Sequence, residues 1–87
     1  MWFVYIIECE KNSLYTGITN DLERRYEQHK RGTGAKFTRA FGAKKIVYHE
    51  RYRSKSKALR REAEIKSWPR AEKLALIAKS LPKKRRS

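Results

Sequence analysis

Only one cysteine and nine acidic side chains occur in this chain of 87 residues. Each shortage excludes something. Cys9 alone cannot close an internal disulfide. With only two histidines beside it, it cannot build the usual structural zinc frameworks either. That cysteine usage fits a reducing cytoplasm. No apolar run approaches the roughly 20 residues of a membrane-spanning helix. The N-terminus lacks the basic lead and long apolar core of a secretory signal, so a cytoplasmic domain is expected. The scarcity of acids is set against 23 Lys and Arg, for a net charge of +14. Lys83, Lys84, Arg85 and Arg86 hold only four of those cations, so the basicity belongs mainly to the body of the chain. Such a body repels itself unless a polyanion is near. Nucleic acid is therefore the natural partner, DNA or RNA, ahead of an anionic membrane surface.

What is present is one small domain over residues 1–81 and a basic tail, 82–87, expected to be disordered. Trp2 to Glu8 is apolar on both faces, the mark of a central strand. Phe3, Tyr5 and Ile7 share one face, and Trp2, Val4 and Ile6 the other. A turn at Glu10–Ser13 leads back through a second strand, Leu14 to Thr19. If that turn centres on Glu10, Tyr5 and Tyr15 sit opposite each other. Asn20 and Glu23 have capping-box spacing for a helix running to about Lys30, with Gly32 as its stop. The segment GTGAKFTRAFGAKK reads as a long surface connection with a short helical turn near Thr38 to Phe41. Its Lys36, Arg39, Lys44 and Lys45 suit phosphate contacts. Lys45 to Tyr52 alternates as a third strand, with Ile46, Tyr48 and Glu50 on one face and Val47, His49 and Arg51 on the other. Ser54 or Ser56 caps a second long helix, and Pro69 ends it and opens a third. That last helix, Arg70 to Leu81, places Leu74, Ile77, Ala78 and Leu81 on one side.

Two helices carry charge where apolar residues belong. On the first, Leu22, Arg25, Tyr26 and His29 share the inward stripe while Arg24 points away. Burying Arg25 costs several kcal/mol unless an anion meets it. On the second, Ala58, Leu59, Ala63 and Ile65 define an apolar arc with Glu62 inside it and Glu64 outside. Glu62 is either the partner of a buried ion pair with Arg25 or a group that acts beside a phosphate, as metal ligand or general base. Tyr5 and Tyr15 read equally as core residues with satisfied hydroxyls or as site phenols.

Phe3–Tyr5 (FVY) followed by Tyr15–Gly17 (YTG), ten residues from Tyr5 to Tyr15, resembles the paired motif of the GIY-YIG nuclease superfamily. The resemblance runs on through Arg25, His29 and the ALRRE stretch ending at Glu62, and so covers nearly the whole chain. It is closest to the small stand-alone bacterial members of uncharacterised function. Phe3 stands in place of the first glycine, and Val4 and Thr16 in place of the two isoleucines. The implied fold is α+β (α/β in the broad sense): a three-stranded, mainly antiparallel sheet flanked by helices. The strand-strand-helix-strand-helix-helix reading makes those helices three.

The implied activity is metal-dependent hydrolysis of phosphodiester bonds in DNA, structure-selective or repair-related. By position, Glu62 holds a single divalent cation, Mg²⁺ or Mn²⁺, which takes few protein ligands because it keeps waters and binds the phosphate. Tyr5 deprotonates or orients the attacking water, and Arg25 stabilises charge on the phosphate. Tyr15 and His29 hold the water, the phosphate or Tyr5, with the identity of the base left open. Lys66, one turn after Glu62, contacts the backbone of the nucleic acid. Family members are often appended to a targeting domain, so a protein partner that supplies targeting is expected. The competing expectation is a non-catalytic nucleic-acid-binding module on the same scaffold.

Overall fold

The computed structural model describes residues 1–80. Three strands, β1 (Trp2–Cys9), β2 (Leu14–Thr19) and β3 (Ala43–Tyr52), form one antiparallel sheet in the order β2-β1-β3. Four helices surround it: α1 (Leu22–Lys30), α2 (Lys36–Phe41), α3 (Lys55–Lys66) and α4 (Arg70–Ser80). The tail expected at 82–87, with Leu81 before it, lies outside the described residues. Among the described residues no helix is long and apolar enough to cross a membrane.

β1 is central because both of its faces are apolar and both must be covered. Val4 and Ile6 are buried with Ala58 and Ile65 of α3, and Leu76 and Ile77 of α4 pack against that cluster. Tyr5, Ile7 and Cys9 are buried on the other face, where Leu22 and Tyr26 of α1 cover them. Each fully buried isoleucine contributes about 1.5–3 kcal/mol, so this double-sided strand anchors the domain.

Several local expectations need correction. The hairpin pivots on Lys11 rather than Glu10, because Lys11 and Asn12 both take left-handed backbone conformations (φ 61° and 59°). Tyr5 therefore pairs with Gly17, and Tyr15 with Ile7. The partner moves by two positions, so no side chain changes face. The cap of α1 is Asp21, not Asn20; its carboxylate accepts the Arg24 N–H at 3.1 Å. On α3 the cap is Ser54. β3 does not alternate cleanly. Ile6 pairs with Tyr48 but Ile7 with Ile46, so Val47 is an extra residue at a bulge. The bulge sends Ile46 to the α1 face and leaves Val47 and Tyr48 on the α3 face. The sheet carries four helices rather than three, since the turn near Thr38 closes into α2. In α4, Leu76 and Ile77 face the core, while Leu74 is 43% exposed. Ala78, expected on the same side, is exposed as well.

Candidate active site

The site begins with a phenol in the wrong place for an ordinary core residue. Tyr5 is 1% exposed, and its ring leans from the central strand over Gly17 of the edge strand β2. A Cβ at position 17 would sit 2.6 Å from the Tyr5 hydroxyl oxygen. Gly17 is therefore the space in which the hydroxyl lies. The Tyr15 ring stands beside it, with centroids 6.3 Å apart.

α1 supplies the partners of that hydroxyl. Its inward stripe is Leu22, Arg25, Tyr26 and His29, as helical spacing requires, and Arg24 is exposed. Arg25 Nε donates to the Tyr5 hydroxyl at 3.3 Å and Nη1 donates to Gln28 Oε1 at 3.0 Å. His29 Nε2 lies 2.9 Å from the same hydroxyl. On its far side, His29 Nδ1 lies 2.6 Å from Thr38 Oγ1 of α2. The imidazole is 1% exposed and packs at 5.1 Å, centroid to centroid, from Tyr15. Gly34 leaves room for it, since a Cβ there would meet Nδ1 at 2.4 Å.

Burial sets the protonation states. It pushes the Tyr5 phenol up to about 12, against the opposing pull of the Arg25 hydrogen bond. Burial and then the nearby Arg25 charge bring His29 down to about 4. The Tyr5 hydrogen bond raises Arg25, which stays charged. At neutral pH the cluster is thus a neutral phenol, a neutral imidazole and a guanidinium.

Glu62 lies on α3, the helix on the opposite face, and among the described residues no hydrogen bond or ion pair joins it to Tyr5, Arg25 or His29. Its side chain is 17% exposed, and its charge contributes to raising the Tyr5 pKa. The stripe that carries it is Ala58, Arg61, Glu62 and Ile65, not the arc expected with Leu59 and Ala63. Leu59 is 44% exposed, and Ala63 is exposed too. Glu62 does not pair with Arg25. It accepts from Lys66 Nζ at 3.1 Å, so Lys66 meets a carboxylate here. Among the described residues no three His, Cys, Asp or Glu side chains gather as a cage for a metal ion.

Of the expected nucleic-acid contacts, Lys36 and Arg39 are exposed on α2, the helix that also buttresses His29. Lys44 and Lys45 are exposed at the start of β3. Lys45 pairs with Glu8, three residues along β1 from Tyr5, or about 10 Å. The structure does not bring them into the cluster itself.

Sequence reasoning missed Gln28, Gly34 and Thr38 as parts of this cluster, and Arg61 as part of the inward stripe of α3. Gln28 stands three residues after Arg25 on one helix face, a spacing that could have been read. Arg61 sits three residues after Ala58 and four before Ile65, so the true stripe was visible in the spacing alone. Gly34 and Thr38 are joined to His29 only through the path of a connection, which spacing does not reveal.

Residues 1–75 match the family model described as the GIY-YIG catalytic domain. UPF0213 proteins of Staphylococcus aureus strains Mu3 and Mu50 are each 51% identical over 75 residues, which cover 86% of this chain and 92% of theirs. The solution NMR structure of the UPF0213 protein BH0048 from Bacillus halodurans superposes with a TM-score of 0.60 at 41% identity. That match covers 92% of this chain and 86% of that one.

Proposed function

From the premise that this chain belongs to the GIY-YIG catalytic-domain family, we propose that it is a metal-dependent endonuclease hydrolysing phosphodiester bonds in DNA. The family is a nuclease family whose enzymes are generally metal-dependent. The observation that carries the reading is the Tyr5 hydroxyl, held between the Arg25 guanidinium and the His29 imidazole. A core tyrosine needs one partner. Here a cation and a neutral base converge on one oxygen.

Glu62 is the residue to hold the cation. It is a mostly buried oxygen donor, and its ion-pair partner is a half-exposed lysine that can swing away. A single carboxylate fits a hard ion that keeps most of its waters, Mg²⁺ or Mn²⁺, and not zinc. When bound, such an ion supplies Lewis acidity toward the phosphate and positive charge near the attacking water.

The remaining chemistry belongs to the chain. Forming a free Tyr5 phenolate at pH 7 from a pKa of about 12 costs roughly 7 kcal/mol. That is too large a share of a barrier to be met in advance. The phenol instead takes a proton from the water while giving its own to neutral His29. Arg25 donates to the phosphate oxygens as charge builds on them, an arrangement typically contributing about 3 kcal/mol. Tyr15 walls the cluster and fixes the Tyr5 and His29 rings. Lys36, Arg39, Lys44 and Lys45 contact the flanking backbone, and Lys66 does so once released from Glu62. DNA is the substrate class, with branched and damaged forms tested first and RNA beside them.

The test is a cleavage screen over duplex, flap, junction and RNA substrates with Mg²⁺ or Mn²⁺, run beside Glu62→Ala. We expect wild-type cleavage that Glu62→Ala abolishes, with duplex binding nearly intact. No cleavage of any substrate would favour the second reading, a non-catalytic nucleic-acid-binding module. The Glu62–Lys66 contact speaks for that reading, because it satisfies the carboxylate without a metal.

A further inference from the structure

The connection between α1 and β3 looks in sequence like a phosphate-binding loop, yet two of its residues are turned inward onto His29. Thr38 is 1% exposed, and its hydroxyl oxygen lies 2.6 Å from His29 Nδ1. Gly34 leaves the gap that the ring fills. Neither residue touches Tyr5, Arg25 or Glu62 in the contacts described above.

The donors and acceptors around the ring can be counted. The Thr38 hydroxyl donates to the Ala35 carbonyl at 3.1 Å and accepts the Ala35 N–H at 3.3 Å. With its one hydrogen so placed, its remaining lone pair is free for an N–H from His29 Nδ1. The other end of the ring gives the same answer. The Tyr5 hydroxyl already accepts from Arg25 Nε, which can only donate. Its own hydrogen is then available to His29 Nε2, and in that arrangement Nε2 is the bare nitrogen. In the opposite tautomer Nε2–H and Arg25 would both donate to Tyr5, and the phenol hydrogen would lose this acceptor.

We propose that Thr38 is a positioning residue that fixes His29 as the Nδ1–H tautomer, leaving Nε2 as the acceptor for the Tyr5 proton. The tautomer stands on the hydrogen-bond geometry alone. Its use in proton transfer rests on the nuclease reading above. In that step the O–H bond of Tyr5 breaks and an N–H bond forms at Nε2, while the phenol oxygen takes the proton of the attacking water. The Thr38 contact fixes the Nδ1–H orientation and stabilises the imidazolium that results. The 31–42 segment thus acts first as a brace for the imidazole.

The experiment is ¹⁵N NMR of the histidine rings at neutral pH in the full chain, for wild type, Thr38→Val and Thr38→Ser. Exposed His49, whose ring nitrogens have no hydrogen-bond partner among the described residues, supplies an internal reference. We expect wild-type His29 to show a protonated Nδ1 and a bare Nε2, Thr38→Ser to retain that pattern, and Thr38→Val to mix or invert it. Cleavage should fall on the order of 100-fold in Thr38→Val and return in Thr38→Ser, with DNA affinity unchanged. Thr38→Ala replaces the valine variant if the latter does not fold. A wild-type Nε2–H tautomer, or a pattern untouched by loss of the hydroxyl, overturns the proposal. If the predicted tautomers appear in a chain that cleaves nothing, the nuclease reading fails while the role of Thr38 in setting the tautomer stands.

Discussion

Each face of the sheet is covered by a helix whose inward stripe carries an arginine, and the two arginines are housed in opposite ways. On α3, Arg61 is surrounded by charge. It makes three hydrogen bonds to the Glu50 carboxylate at 2.9–3.2 Å, reaches Glu64 at 3.0 Å and lies over the Trp68 ring. Glu50 also accepts from the hydroxyls of Tyr48 and Tyr52. Burial alone would push the Glu50 carboxyl up, but Arg61 and the two phenols outweigh it and hold the group below its usual range. On α1, Arg25 has neutral partners, a phenol and an amide, and among the described residues it makes no ion pair. The first arginine is fully compensated and holds a helix to a strand. The second has no anionic partner among the described residues, which is the condition that the proposed nuclease reading needs for an incoming phosphate.

The sharpest way to break this comparison is to remove each arginine in turn. Arg25→Ala should lower metal-dependent cleavage by at least 100-fold while moving stability by less than about 1 kcal/mol, because the acceptors it leaves are neutral. Arg61→Ala should do the reverse in urea unfolding. Losing one member of a buried pair costs about 3–5 kcal/mol. We expect the lower end, since Arg61 and Glu50 side chains are 22% and 16% exposed and Glu50 keeps two phenol donors. Arg24→Ala, on the exposed side of α1, is the control and should change neither quantity. Equal losses of stability from Arg25→Ala and Arg61→Ala would erase the distinction between the two faces.

Acid separates the faces a second time. The His29 pKa falls from 6.5 in the unfolded chain to about 4 in the fold, so the unfolded state takes up its proton first. Stability is therefore complete above pH 6.5 and is lost as pH falls through the window down to about 4, by at most roughly 3 kcal/mol. Glu50, also lowered, gives up its contribution only as pH falls below its unfolded value of 4.5. Thermal melts across pH should show the two losses in that order. His29→Gln should flatten the upper window and leave the lower one, and Glu50→Gln should do the converse. A wild-type melt unchanged between pH 6.5 and 4 would mean that His29 is not held neutral.

These two faces also show what the sequence could and could not disclose. The central strand, the sheet and the inward positions of Arg25 and His29 were legible because periods of 2 and 3.6 fix which side chains share a face. Faces survived even where register did not: the hairpin pivot moved from Glu10 to Lys11, but side chains kept their sides. The bulge at Val47 was invisible, because one inserted residue leaves no mark in a strand pattern that still looks alternating. The α3 stripe was misread because Leu59 and Ala63 are apolar and Arg61 is not, although Arg61 is the better buried. An apolar arc drawn by residue type fails when an ion pair is part of the core. The Thr38–His29 contact joins residues nine apart across a turn, and spacing says nothing about where such a turn folds back.

A finer probe of the boundary between the faces is Thr16, which stands where the family motif has isoleucine. It pairs with Ile6, shares that residue's α3 face, and is 3% exposed. Its hydroxyl has no hydrogen-bond partner among the described residues. An orphaned buried hydroxyl carries a desolvation penalty of about 1–3 kcal/mol. Thr16→Val removes the hydroxyl, keeps the branched shape and restores an apolar side chain. We expect a gain of about 1 kcal/mol, which in a domain of this size raises the melting temperature by roughly 4–8 °C. If the hydroxyl belongs only to the packing beneath α3, cleavage is unchanged. If cleavage falls while stability rises, that oxygen serves the reaction from the α3 face, which already carries Glu62, and the packing beneath α3 is not structural alone.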